Sequence, residues 1–126
     1  MSVTVAALEK KLNTEIAAFE AMQKDYGNLV SGRQTLESQL KENELVQKEF
    51  ELLDDEAVVY KLVGPVLVKQ DQPEAKSNVR KRLEFIRGEI DRAEKRIKEL
   101  SSKMDKSKME LMAMQVELQK RKGGSA

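Results

Sequence analysis

Met109, Met112 and Val116 recur at steps of three and four residues, and two β-branched runs, Val58–Val63 and Val66–Gln70, flank a Gly64-Pro65 pair. The chemistry open to these residues is adhesive. Unbranched, polarizable methionine side chains fit surfaces of many shapes. Exposed apolar stripes mark partners, and open strand edges invite another chain. Covalent chemistry has little to work with. The chain contains no Cys and no His, which removes thiol nucleophiles, zinc thiolates, disulfides and the commonest general base. It also has no Gly-rich phosphate loop and no nucleophile–base set. Lys and Arg number 23 against 22 Asp and Glu, so no general field draws nucleic acid or acidic membranes. The basic run Lys120-Arg121-Lys122 is too short to argue otherwise. The expectation is a binding protein, with no enzymatic activity, no cofactor and no metal.

The central run must be positioned as a hairpin. Valine, leucine and tyrosine favour strands, and Gly64-Pro65 punctuates them as a turn. Val58, Tyr60 and Leu62 point one way and Val59, Lys61 and Val63 the other, so both faces are partly apolar. A lone two-stranded hairpin is marginal in water. It leaves unrealised most of the roughly 1.5–3 kcal/mol that each buried Val or Leu contributes. Val58, Tyr60, Leu62, Val63, Gly64, Pro65, Val66, Leu67 and Val68 are therefore the expected assembly element, completed by neighbouring subunits.

On either side lie charged runs with a heptad seam. Before the hairpin, steps of three and four connect Val5, Leu8, Leu12, Phe19, Met22, Tyr26, Leu29, Leu36, Leu40 and Phe50, interrupted at Glu15, Arg33, Asn43 and Gln47. Such polar seam residues set register at some cost in stability. Gly27 and Gly32 fall within the pattern and suggest a bend. After it, Val79, Leu83, Ile86, Ile90, Ala93, Ile97, Leu100, Met104, Leu111, Met114 and Leu118 continue without a slip, with Ser107 and Arg121 as the polar members. Charged residues make up 36% and aromatics 4%, a composition that suits long exposed helices better than a globule.

The predicted fold class is mainly α: a long antiparallel two-helix coiled coil joined by a central β-hairpin, as one domain over residues 1–126. The first helix covers about 5–54, the hairpin about 57–70, the second helix about 72–121, and the tail 122–126 frays. Asp71 and Glu74 form a capping-box pattern around Pro73, which is tolerated in a first turn. Each arm is about 75 Å long at 1.5 Å per residue. Counting outward from the turn sets Leu29 near Leu100, Met22 near Ser107 and Leu12 near Leu118. The first residues lack the apolar run of a secretory signal, and no stretch has the length of a membrane span.

Four of the six methionines lie between 104 and 114. Met104 and Met114 are seam residues, whereas the heptad puts Met109, Met112 and Val116 outside. Val3, Leu8, Leu12, Met109, Met112, Val116 and Leu118 are the residues expected to contact bound polypeptide.

Arm, hairpin and arm is a layout similar to that of prefoldin, and the resemblance covers essentially the whole chain. VVYKLVGPVLVKQ (Val58–Gln70) resembles the hairpin of the β-class subunits, and SGRQTLESQLKENELVQKE (Ser31–Glu49) and KRLEFIRGEIDR (Lys81–Arg92) resemble its flanks. The resemblance implies a cytoplasmic, ATP-independent hetero-hexamer of two α-class and four β-class subunits, with hairpins forming a β-barrel platform. It further implies capture of unfolded polypeptides, actin and tubulin among them, at the coiled-coil ends and their delivery to the cytosolic chaperonin. The alternative is a structural coiled-coil tether without client binding, against which the hairpin argues, since a spacer needs no strand-pairing element.

Overall fold

The computed structural model describes residues 4–123. The elements follow in the order α1 (Val5–Leu52), β1 (Val59–Val63), β2 (Val66–Gln70) and α2 (Gln72–Gly123). The chain divides into two compact units, one of residues 1–31 with 94–126 and one of residues 32–93.

α1 begins where Thr4 caps it. The Thr4 hydroxyl oxygen accepts from the Ala7 amide at 3.1 Å, and its carbonyl accepts from the Leu8 amide at 3.0 Å. A threonine in this position satisfies one of the helix's orphan donors. The helix runs on through Gly27 and Gly32 without interruption, and a Cβ at either would meet nothing within 4 Å. It ends at Leu52 because Asp54 offers the backbone another partner. The Asp54 carboxylate accepts from the Glu56 amide at 3.1 Å, and its carbonyl accepts from the Ala57 amide at 3.2 Å. Short acidic side chains compete with a helix in this way and favour turns.

The hairpin is antiparallel, with Val59 opposite Gln70, Leu62 opposite Leu67 and Val63 opposite Val66. Two residues close it. Gly64 has φ of 58°, and proline holds φ near −65° at the next position. This sign pattern is that of a II′ turn, whose twist suits a hairpin and whose first central position takes glycine.

At the start of α2 the Asp71 carbonyl accepts from the Ala75 amide at 2.9 Å, which makes Asp71 the cap residue. Pro73 and Glu74 sit in the first turn. There a missing N–H costs nothing, and a carboxylate meets the positive end of the helix dipole. At the other end α2 continues through Lys122 and Gly123, beyond the end at about residue 121 that the heptad predicts. The Lys122 ammonium meets the Glu9 carboxylate at 2.6 Å and ties this last turn to α1.

Every seam residue named from the heptad, in either helix, is buried or half-buried. In the unit of residues 32–93, Ala75, Val79, Leu83, Ile86 and Ile90 are buried, and Leu83 is only 1% exposed. Ala75 lies one four-residue step before Val79 and extends the seam to the first turn. In the other unit Leu8, Leu12 and Leu111 are buried, and Leu29 and Leu100 line a common hollow, as the count from the turn requires.

Candidate interaction surfaces

In the unit of residues 32–93 the prominent surface is the hairpin. Val58, Tyr60, Leu62, Val63, Val66, Leu67 and Val68 are all exposed, Leu62 at 68%. The register stacks them across the sheet. Tyr60 and Leu62 with Lys69 and Leu67 make one face, and Val59, Lys61 and Val63 with Gln70, Val68 and Val66 make the other. Both faces therefore present aliphatic groups to water. Each such side chain forgoes the burial free energy that folding normally collects from it.

Gln72 holds this hairpin to the helices. Its amide nitrogen carries two hydrogens, and they are donated to the carbonyls of Asp54 and Ala57, both at 2.7 Å. The turn leading into the hairpin and the helix leading out of it are thereby pinned together. Nearby, Arg82 donates to the Asn43 side-chain oxygen at 3.4 Å, while the Asn43 amide donates to the Gln39 carbonyl at 2.7 Å. Asn43, a polar interruption of the seam, thus bridges α1 and α2. Arg33, another interruption, pairs with Glu37 one turn along its own helix at 3.4 Å.

Four further apolar side chains of this unit are exposed: Leu45, Val46, Leu52 and Phe85, with Leu52 at 86%. The sequence reading did not single them out, yet the heptad contains the signal. Leu45 and Leu52 are seven residues apart, both opposite the seam, and Phe85 is neither of the two seam positions that flank it.

Among the described residues of the unit of 1–31 with 94–126, the large apolar side chains left exposed are Met109, Met112 and Val116, with Met109 at 73%. They share one face of α2 by spacing, and Met104 and Met114 turn inward as half-buried seam residues. Three residues expected to touch bound polypeptide are placed differently. Leu8 and Leu12 are buried and Leu118 is half-buried, because all three are seam residues taken up by packing of α1 against α2. Val3 lies outside the described residues. The exposure that contact needs is met by Met109, Met112 and Val116.

Among the described residues no helix is long and apolar enough to cross a membrane, and no group of three or more acidic side chains is placed to hold a metal ion.

A pair of long helices bracketing an unpartnered apolar hairpin defines a class of assembling coiled-coil subunits. The sequence matches the family described as prefoldin subunit over residues 13–118, and the chain belongs to that family, whose members are chaperone subunits. It is 42% identical to prefoldin subunit 6 of Homo sapiens over 119 residues, which cover 94% of this chain and 92% of that protein. It is also 42% identical to prefoldin subunit 6 of Arabidopsis thaliana over 125 residues, 99% of this chain and 97% of that one. The fold is similar to the crystal structure of the prefoldin beta subunit from Thermococcus strain KS-1, with a TM-score of 0.74 over 82% of this chain and 90% of that chain at 24% identity.

Proposed function

We propose that this chain is a β-class subunit of a cytoplasmic hetero-hexameric prefoldin that holds non-native polypeptides without ATP and passes them to the cytosolic chaperonin. The observation that carries the reading is the hairpin, whose apolar residues are exposed on both faces in the single chain. Sister subunits, in a hexamer of two α-class and four β-class chains that includes this one, supply the missing cover. Strand edges left open by a two-stranded sheet are the natural place for them to join.

Clients, actin and tubulin among them, are held at the helix ends. Met109, Met112 and Val116 give each subunit a small, adaptable apolar face. One such face binds weakly. Several faces on one assembly act on the same unfolded chain, and each further contact is intramolecular, so avidity rises without any tight site. Weak individual contacts also let the client leave when another chaperone takes it, with no nucleotide needed.

Two variants test the two halves. Leu62→Asp with Leu67→Asp is expected to yield a helical monomer in analytical ultracentrifugation, and a hexamer that survives both changes would refute assembly through the hairpin. Met109→Lys, Met112→Lys and Val116→Lys together are expected to leave the hexamer intact and to abolish most suppression of client aggregation. Undiminished suppression by that intact hexamer removes these residues from client capture. If no other surface suppresses aggregation either, a tether is left.

A further inference from the structure

We infer that Met109 and Met112 form a paired, reversible oxidation site, through which hydrogen peroxide turns the client-holding face of this subunit from apolar to polar. This rests on the reading above that the face holds non-native polypeptide, and adds its regulation. Three observations carry it. The first is the sulfur inventory. The chain has no Cys, so no thiol of its own intercepts an oxidant, and thioethers are the only sulfur it offers. The second is how the fold sorts those thioethers. Met22, Met104 and Met114 are half-buried on the seam, whereas Met109 is 73% and Met112 58% exposed. The third is their surroundings on α2. One turn away lie Asp105, Lys106, Lys108, Ala113 and Gln115, all exposed, and no aromatic ring stands among them to shield the sulfur. Being three residues apart, the two methionines are neighbours on one helix face and meet the same solvent.

In the reaction each sulfur uses a lone pair to attack one oxygen of hydrogen peroxide. An S–O bond forms as the O–O bond breaks. The departing hydroxide takes the proton of the transferred oxygen and leaves as water, so sulfur loses the two electrons that peroxide gains. The product sulfoxide is polar and chiral where the thioether was apolar and adaptable. Of the three apolar groups on the face, only Val116 is inert to this change, so the face loses most of its apolar character at once. Neither methionine lies on the seam, and the packing of α1 against α2 is untouched. Methionine sulfoxide reductases restore the thioether, one type of enzyme for each sulfoxide epimer.

The test treats the assembled complex with hydrogen peroxide and follows each methionine of this chain by peptide mass spectrometry. Met109 and Met112 are expected to oxidise about five-fold faster than Met104 and Met114, or more. Once both have converted, the concentration needed for half-maximal suppression of client aggregation is expected to rise about three-fold or more, with helicity unchanged, and to fall back after treatment with both reductases. Equal oxidation rates at the two pairs, suppression unmoved by full conversion, or a loss that the reductases leave in place each overturn the proposal. Peroxide also reaches the partner subunits, so two variants confine the effect to this chain. A complex with Met109→Leu and Met112→Leu, measured against its own untreated level, is expected to lose less than half as much as the wild type; an equal loss overturns the proposal. Met109→Gln with Met112→Gln puts a polar side chain of similar length at both sites without any oxidant. It is expected to reproduce the three-fold rise, and suppression at the wild-type level overturns the proposal. This variant decides alone should the leucine pair suppress nothing before treatment. If the Met109→Lys, Met112→Lys and Val116→Lys variant suppresses aggregation normally, the client reading itself fails. If that variant loses suppression but the oxidised complex and the glutamine pair keep it, only the present proposal fails.

Discussion

The two units of this chain use the same two helices to different ends. In residues 32–93 the second helix has a nearly dry face, with Ala75, Val79, Leu83, Ile86 and Ile90 buried in succession. In the unit of residues 1–31 with 94–126, only Leu111 of the same helix reaches that state, and Met104, Met114 and Leu118 stay half-buried. The difference lies in what covers the seam. Two helices alone shield a narrow stripe and leave its flanks wet. In the hairpin unit a third body is added, since β1 shares a hollow with Ala75 and Val79, and Gln72 draws the connecting turn over the start of α2. One unit thus combines a buried helix face with an exposed apolar sheet, and the other leaves Met109, Met112 and Val116 exposed on a helix whose seam is mostly half-buried.

The strongest way to break this contrast is in the cores. Leu83→Ala removes a side chain that is 1% exposed, and a substitution of this kind costs about 2–5 kcal/mol. Leu111→Ala, at a less covered site, is expected to cost about half as much, since its surroundings are better able to collapse and rehydrate. Thermal unfolding of the two variants reads the difference, and equal losses would show that the units are packed alike. A smaller effect is expected at the latch. Gln72→Ala leaves the Asp54 and Ala57 carbonyls to water in place of this donor, at a cost of about 0.5–1.5 kcal/mol. Hydrogen exchange is expected to rise in residues 54–57 and the strands, with no change at Leu100–Leu118. The smallest effect belongs to the Glu9–Lys122 pair, both side chains being about half exposed. Glu9→Gln is expected to cost about 0.2–1 kcal/mol and to lose even that at high salt, as surface pairs do. A larger, salt-independent loss in thermal unfolding would mean that the helix ends are held more firmly than their exposure suggests.

Much of the fold was legible because a heptad and an alternating strand are both statements about which side of an element is apolar. Val5 through Phe50 and Val79 through Leu118 repeat at one spacing, and the structure turns each of them inward. The β-branched content of Val58–Val68, broken by Gly64-Pro65, marked the hairpin in the same way. The candidate site was legible only in part. Leu8 and Leu12 were expected both as seam residues and as client contacts, and packing takes them for the first role. Leu45, Leu52 and Phe85 were within reach of the heptad, as apolar residues in outward positions. The Gln72 latch and the Arg82–Asn43 bond have no local signature, because each depends on residues brought together from distant parts of the chain.

The closed Gly64-Pro65 turn has a kinetic corollary. The two-residue turn by itself sets the register, with Leu62 opposite Leu67 and Val63 opposite Val66, and a one-residue slip would exchange the two faces. On the assembly proposed above, docking is expected to spend less entropy on ordering this segment than an unpaired loop would cost, and complex formation is expected to be paced by encounter.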